Sequence, residues 1–188
     1  VTVPDWYRDA KLGVFIHWGI FSLPAWAEPH DGRVPVEDAY ARHRYAEWYG
    51  NTVRIPASPC RARHVARFGE GTSYEDLADR WRPGDLDADA MIRAVLRSGA
   101  RYVVPVTKHH DGFCLWDTAT TSFNAARRGP GRDLIRQLAD ATRAAGARFG
   151  VYFSGALDWH VSDLPPIQSD RDLFLLRRND EGFARYAA

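Results

Sequence analysis

What these 188 residues have little of narrows their function first. There are two cysteines, Cys60 and Cys114, too few and too far apart for a disulfide framework or a cysteine-built zinc site. Lysine is nearly absent: of the 25 basic residues, only Lys11 and Lys108 are not arginine, a skew that reads as coding composition. Neither sign of charge is in excess, with a formal net charge of +1, so there is no electrostatic footprint for nucleic acid or an anionic membrane. No apolar run approaches the roughly 20 residues of a transmembrane span. The N-terminal VTVPDWYRDAK lacks the basic-then-apolar order of a signal peptide, and a cytoplasmic location with no membrane partner is the expectation. No G-x-S-x-G, no H-E-x-x-H and no glycine-rich phosphate loop after a strand occurs. Internal repeats and low-complexity segments are missing as well.

What is abundant is aromatic: seven Trp, eight Tyr and nine Phe, many beside Gly, Pro or His instead of inside apolar runs. Two readings stay open on composition alone. One is a large core with aromatic plugs. The other is a cleft lined by flat rings, which suits a sugar because the C–H faces of a pyranose pack on aromatic rings. The length predicts one well-cored domain over residues 1–188.

Three apolar runs read as buried parallel strands covered on both faces: GVFIHW (13–18), YVVPVT (102–107) and FGVYFS (149–154). Pro105 has no donor for a ladder and predicts a bulge or local break in the second. Between them, apolar residues at i, i+3, i+4, i+7 spacing predict helices over 88–98, with Asp87 as N-cap and Gly99 as stop, and over 134–145, between Asp133 and Gly146. Further helix is expected around 36–49, at 74–81 and over 171–186. The order is βαβαβ, hence an α/β fold with a parallel sheet. The long segments, 19–87 and 108–133, follow strands rather than helices, and in parallel α/β folds the loops at strand C-termini build the site. Three strands cannot close a (β/α)₈ barrel, which needs roughly 250 residues, so a barrel reading makes this chain its N-terminal portion.

The chemistry-bearing groups converge on that end of the sheet. They are His17 in FIHWG, His109, His110 and Asp111 in TKHHDGF, Glu47 and Trp48 in AEWYGN, and Tyr152, Asp158 and Trp159 in GVYFSGALDW. His17, a histidine of the pair and Asp111 are acceptable zinc or iron ligands. The first strand nevertheless lacks an H-x-H pair, and adjacent histidines point in different directions. Proton transfer by His with a carboxylic acid is a second option. The third is a grip on sugar hydroxyls by His, Glu, Tyr and indole N–H groups, over an apolar floor of Phe15, Trp18, Trp26, Phe113 and Trp116. Trp81 and Trp6 read as packing, and Arg132–Asp133 as organising a helix N-terminus.

Taken together, AKLGVFIHWGIFSLPAWAE, AEWYGN, GARYVVPVTKHHDGFCLWD, TSFN…RGPGRDLI and FGVYFSGALDW resemble the catalytic domain of α-L-fucosidases, glycoside hydrolase family 29, from about Trp6 to about Trp159. The resemblance implies a (β/α)₈ TIM-like barrel of which about three parallel strands, with their helices and long loops, are present. It implies hydrolysis of terminal α-linked L-fucose with retention, through an aspartate nucleophile and a second carboxylic acid. Carried over position by position, it implies that His17, Glu47, Trp48, His109, His110 and Tyr152 line the fucose pocket, with a fucosylated glycan or fucoside as partner and no metal or cofactor. The family's nucleophile and acid/base follow later strands, and are expected beyond Ala188. Asp158 and Asp163 are not taken as substitutes, because LDW exists in the family in addition to the nucleophile. The alternatives are a non-catalytic fucose-binding module and, less well matched, a metal-dependent barrel hydrolase.

Overall fold

A computed structural model describes residues 2–29, 32–84, 86–162 and 164–176. In chain order the elements are α1 (Asp5–Ala10), β1 (Gly13–Ile16), α2 (Tyr49–Thr52), α3 (Pro59–Phe68), α4 (Asp76–Arg80), α5 (Ala88–Arg97), β2 (Tyr102–Lys108), α6 (Leu134–Ala144), β3 (Arg148–Phe149), β4 (Tyr152–Phe153) and α7 (Asp170–Leu176). Short 3₁₀ turns lie at Ile20–Ser22, Val36–Asp38 and Ala46–Trp48. No helix among the described residues is long and apolar enough to cross a membrane. The chain forms two compact units.

The first unit comprises Val1–Trp18, Arg82–Thr107 and Cys114–Phe153. Its sheet has the order β1-β2-β3, with β4 also paired to β2; both β1–β2 and β2–β3 run parallel. The two crossover helices begin where the caps place them. Asp87 accepts from the Ala90 N–H at 2.8 Å and Asp133 from the Arg136 N–H at 2.7 Å, each satisfying a donor that the first helical turn leaves open. Their apolar stripes meet the sheet in a core of Ile92, Val103, Leu138 and Ala141, flanked by Ile16, Met91, Val95 and Phe149. The long loop after β2 is closed by its own backbone: Cys114 and Asn124 form a parallel bridge, Ala125 N–H donates to Cys114 O, and Leu134 N–H donates to Leu115 O.

The sheet departs from expectation in two ways. The strands are not covered on both faces: Phe15 is 56% exposed, Val151 56% and Phe153 50%. The predicted break at Pro105 lies elsewhere too. Strand β2 runs unbroken through Pro105, which stands opposite Ile16, and the interruption falls in the third run, between β3 and β4. The physical reason is the parallel register. Gly150 N–H donates to Val103 O at 2.8 Å, and the next rung requires the N–H of residue 105, which proline lacks. The pairing resumes at Tyr152, whose carbonyl accepts from the Thr107 hydroxyl at 2.7 Å. Trp6 is not a plug: it lies on α1 at the surface, edge-on to Tyr7 and Tyr102, with the Arg148 guanidinium 4.4 Å above its ring.

The second unit comprises Gly19–Trp81, Lys108–Phe113 and Ser154–Ala188. Buried Ile20, Phe21, Tyr49, Ile55, Leu77, Trp81, Phe113 and Ile167 form its interior, with Trp81 edge-on to Phe113 at 5.9 Å. Helix α3, which periodicity did not reveal, has its own start signal in Ser58–Pro59: the Ser58 hydroxyl accepts from the Arg61 N–H at 3.0 Å and proline fills the first helical position. The helix expected around 36–49 is absent. Tertiary anchors override propensity there: the Arg42 guanidinium grips both oxygens of Glu28 at 2.7 Å, and His43 stacks on Trp48, so the chain turns twice. Asn51 clamps a distant segment from inside, donating to Ile167 O at 2.9 Å and accepting from Ile167 N–H at 2.8 Å. The predicted helix at 171–186 is present as α7; its remainder lies outside the described residues, as does Asp163.

Ile92 is fully buried between β2 and α6. Ile92→Ala is expected to lower unfolding stability by about 2–5 kcal/mol, read from urea denaturation; a loss below about 1 kcal/mol would mean that this core is not packed as described.

Candidate functional site

The end of β2 hands the chain from one unit to the other, and the residues that follow it are held almost wholly by buried polar bonds. Lys108, the last residue of β2, has its ammonium 2.8 Å from Asp158 Oδ2, with the two side chains 4% and 9% exposed. Asp158 Oδ1 also accepts from the His160 and Val161 N–H groups. Backbone bonds run alongside: Ser154 N–H donates to Lys108 O at 2.9 Å, and Trp159 N–H donates to His110 O at 2.7 Å. Gly112 adopts φ +79°, and a Cβ there would stand 2.5 Å from Asp158 Oδ1, so a glycine is required for the ion pair to pass beneath it.

Around this frame sits an aromatic box. Trp48 lies face-to-face with His43 at 4.6 Å and edge-on to His110 at 5.7 Å and to Trp159 at 5.3 Å. His110 and Trp159 meet at 5.5 Å, and His109 packs against His110 at 4.3 Å and against Phe21 at 5.8 Å. The Trp159 indole N–H is buried with no hydrogen-bond partner among the described residues. Glu47 precedes Trp48 in the same 3₁₀ turn, and its charge opposes the burial that lowers the His43 pKa.

Of the six residues expected to line a pocket, Trp48, His109 and His110 are thus brought together in the second unit, with Glu47 beside them in sequence. In the first unit His17 lies 5.9 Å from Tyr152 and 6.2 Å from Phe15, ring to ring. Among the residues expected as an apolar floor, Phe113 is core, and Trp26 carries the Arg63 guanidinium over its ring at 5.4 Å. Trp116 stands 6.3 Å from Phe153.

Asp111 is structural in its contacts. It is buried, accepts from the Tyr74 hydroxyl at 2.7 Å and from the Phe113 N–H at 3.2 Å, and with Tyr74 lines a cavity of about 380 Å³. Burial pushes its carboxyl up to about 6, against the pull of the Tyr74 and Phe113 bonds, and pushes the Tyr74 phenol well above its ordinary value. His64 is likewise internal, held between the Tyr49 hydroxyl and Thr72 O, and burial raises the Cys60 thiol to about 12, which keeps it an unreactive thiol. No cluster of three or more His, Cys, Asp or Glu suited to a metal occurs among the described residues.

Sequence reading missed His43, Ser154 and Tyr74. No periodicity links His43 to Trp48 through a turn, and Ser154 was taken only as a strand end. Lys108 did carry a signal, as one of two lysines in an arginine-rich chain.

Two outcomes follow from these buried charges. Replacing Lys108 by Met strands the Asp158 carboxylate, and is expected to cost about 3–5 kcal/mol of stability, partly recovered by adding Asp158→Asn; equal stabilities of wild type and Lys108→Met in urea would refute the pair's role. Asp111 binds a proton in the folded chain up to about pH 6 and in the unfolded chain only up to about its ordinary 3.8. Its stabilising contribution is therefore complete below the lower value and lost as pH rises through the upper one, a span of roughly 3 kcal/mol. The stability of wild type relative to Asp111→Asn is expected to fall by that order from pH 4 to pH 7; a pH-independent difference would exclude the elevated carboxyl.

Comparison with known proteins bears on what such a site serves. A family model described as alpha-L-fucosidase matches residues 1–174. The α-L-fucosidase of Dictyostelium discoideum is 35% identical over 156 residues, covering 81% of this chain and 31% of its own length. The crystal structure of Thermotoga maritima α-fucosidase superposes with a TM-score of 0.90 at 47% identity, covering 99% of this chain and 42% of that one; it has also been solved in complex with fucose. An α-L-fucosidase from Lactobacillus casei, solved with 4-nitrophenyl-α-L-fucopyranoside, superposes with a TM-score of 0.62 at 34% identity over 84% of this chain and 43% of that one. The chain thus spans about a third of the length of its curated relatives and about two-fifths of these structures. Its parallel strands, crossover helices and long strand-to-helix loops correspond to the N-terminal part of a (β/α)₈ fucosidase barrel. On sequence and on fold alike, the chain belongs to the α-L-fucosidase family.

Proposed function

We propose that this chain supplies the sugar-gripping part of a retaining exo-α-L-fucosidase, which removes terminal α-linked L-fucose from a glycan or fucoside by double displacement. The observation that carries the reading is the box formed by Trp48, His110 and Trp159. Its rings offer apolar faces to the C–H side of a pyranose, while the imidazole and the indole N–H offer an acceptor and a donor to hydroxyls. His17 and Tyr152 present the same chemistry, an imidazole and a phenol beside the apolar ring of Phe15. The family resemblance assigns fucose binding to His17, Trp48, His110 and Tyr152, and to Glu47 and His109 as well. Specificity for a hydroxylated ring follows, because a site that buries hydrogen-bonding groups penalises any ligand that leaves them unmatched.

Bond cleavage is assigned to other groups. A retaining glycosidase needs two carboxyls about 5–5.5 Å apart, one nucleophile and one acid/base. Asp158 is bound to Lys108 and two backbone N–H groups, and Asp111 to Tyr74 and Phe113, contacts that support a structural role for each. As the family resemblance implies, we assign the nucleophile and acid/base to carboxyls beyond Ala188. The histidines hold the sugar while those carboxyls act on its anomeric carbon.

Titration of the ¹⁵N-labelled chain with L-fucose is expected to show saturable binding, weakened about tenfold in His110→Ala, the value of one hydrogen bond to a polar ligand. The same chain should not release 4-nitrophenol from its α-L-fucoside. Turnover would overturn the placement of the carboxyls, and absence of fucose binding would overturn the pocket.

A further inference from the structure

Ser154 lies four residues before the Asp158 of the ion pair and makes three bonds whose directions constrain one another. Its N–H donates to Lys108 O at 2.9 Å, which holds its backbone against the end of β2. Its hydroxyl lies 2.9 Å from the Leu157 carbonyl oxygen and 2.6 Å from His110 Nδ1. A carbonyl oxygen only accepts, and a hydroxyl has a single proton. The Ser154 proton therefore goes to Leu157 O, and the short contact to His110 is satisfied only if Nδ1 carries the proton and the serine oxygen accepts it. The opposite assignment would direct the hydroxyl at Nδ1 and leave two oxygen lone pairs facing each other at 2.9 Å in a buried setting, where an unmade bond is costly.

We propose that Ser154 is a positioning residue that fixes the neutral imidazole of His110 as the Nδ1–H tautomer. Nε2 is then a lone-pair acceptor, and a sugar hydroxyl bound there must donate its hydrogen to His110. The relay runs in one direction, from sugar O–H to His110 to the Ser154 hydroxyl to the Leu157 carbonyl, and so terminates on the backbone of the GALDW loop. This is the arrangement by which a partner on one ring nitrogen sets the function of the other. It rests, for the identity of the hydroxyl donor, on the fucose reading above; the tautomer itself does not.

Long-range ¹H–¹⁵N correlation spectra of the chain at pH 8, with the His110 signals assigned by their loss in His110→Gln, read the tautomer directly. The expected pattern is a protonated, pyrrole-type Nδ1 and an unprotonated, pyridine-type Nε2. In Ser154→Ala the preference should collapse to a mixture, with L-fucose binding weakened about fivefold to tenfold, and Ser154→Thr, which keeps the hydroxyl, should restore both. A protonated Nε2 in the wild-type chain, or a pattern unchanged in Ser154→Ala, would overturn the proposal even if L-fucose binds. The expected tautomer in a chain that does not bind L-fucose would sink the fucose reading and leave the role of Ser154 standing.

Discussion

The buried pair between Lys108 and Asp158 is the constraint from which the site is built. Both side chains are largely withdrawn from water, so each charge depends on the other, and the carboxylate also accepts from two backbone N–H groups. Geometry follows from that demand. The loop carrying Asp158 and Trp159 must return to the end of β2, and in returning it delivers Ser154 to His110 and the Trp159 amide to the His110 carbonyl. A lysine suits the slot where an arginine would not: a compact ammonium fits one carboxylate oxygen, whereas a guanidinium needs a planar fork of space. In a chain so poor in lysine, that is a physical reason for this one.

The aromatic residues divide into two populations by what their edges meet. Trp81 and Phe113 pack edge to face within the second unit's interior, both almost fully buried. Trp48, His110 and Trp159 also meet edge to face, but they carry ring nitrogens whose hydrogen bonding is a separate demand from the ring packing. The composition is compatible with both a packed core and a ring-lined cleft, and the chain contains aromatic clusters of both kinds.

The fold was legible where local rules decide it. Both crossover helices begin at the aspartates that cap them and end before the expected glycines, and the strands are parallel as their apolar character required. Local rules failed where distant contacts decide. The 36–49 segment has helical propensity, yet Arg42 is drawn to Glu28 and His43 to Trp48. Pro105 was correctly read as a missing donor, but the cost appears on the neighbouring strand because a hydrogen bond belongs to two chains. Of the site, the chemically distinctive histidines, tryptophans and carboxylates could be picked out from sequence. The small residues that orient them, Ser154 above all, could not, since a serine at a strand end looks the same whether or not its hydroxyl directs an imidazole.

Gly112 separates two kinds of position that are neighbours in the sequence. With a left-handed backbone angle and the Asp158 carboxylate lying where its side chain would be, it admits no other residue without displacing the ion pair. His110, two residues earlier, bears on the box through its side chain and could be exchanged without disturbing that frame. Variation in this segment, whether by drift or in a randomised library, is therefore channelled: the ring at 110 can be exchanged, while the glycine beside the ion pair stays closed to change.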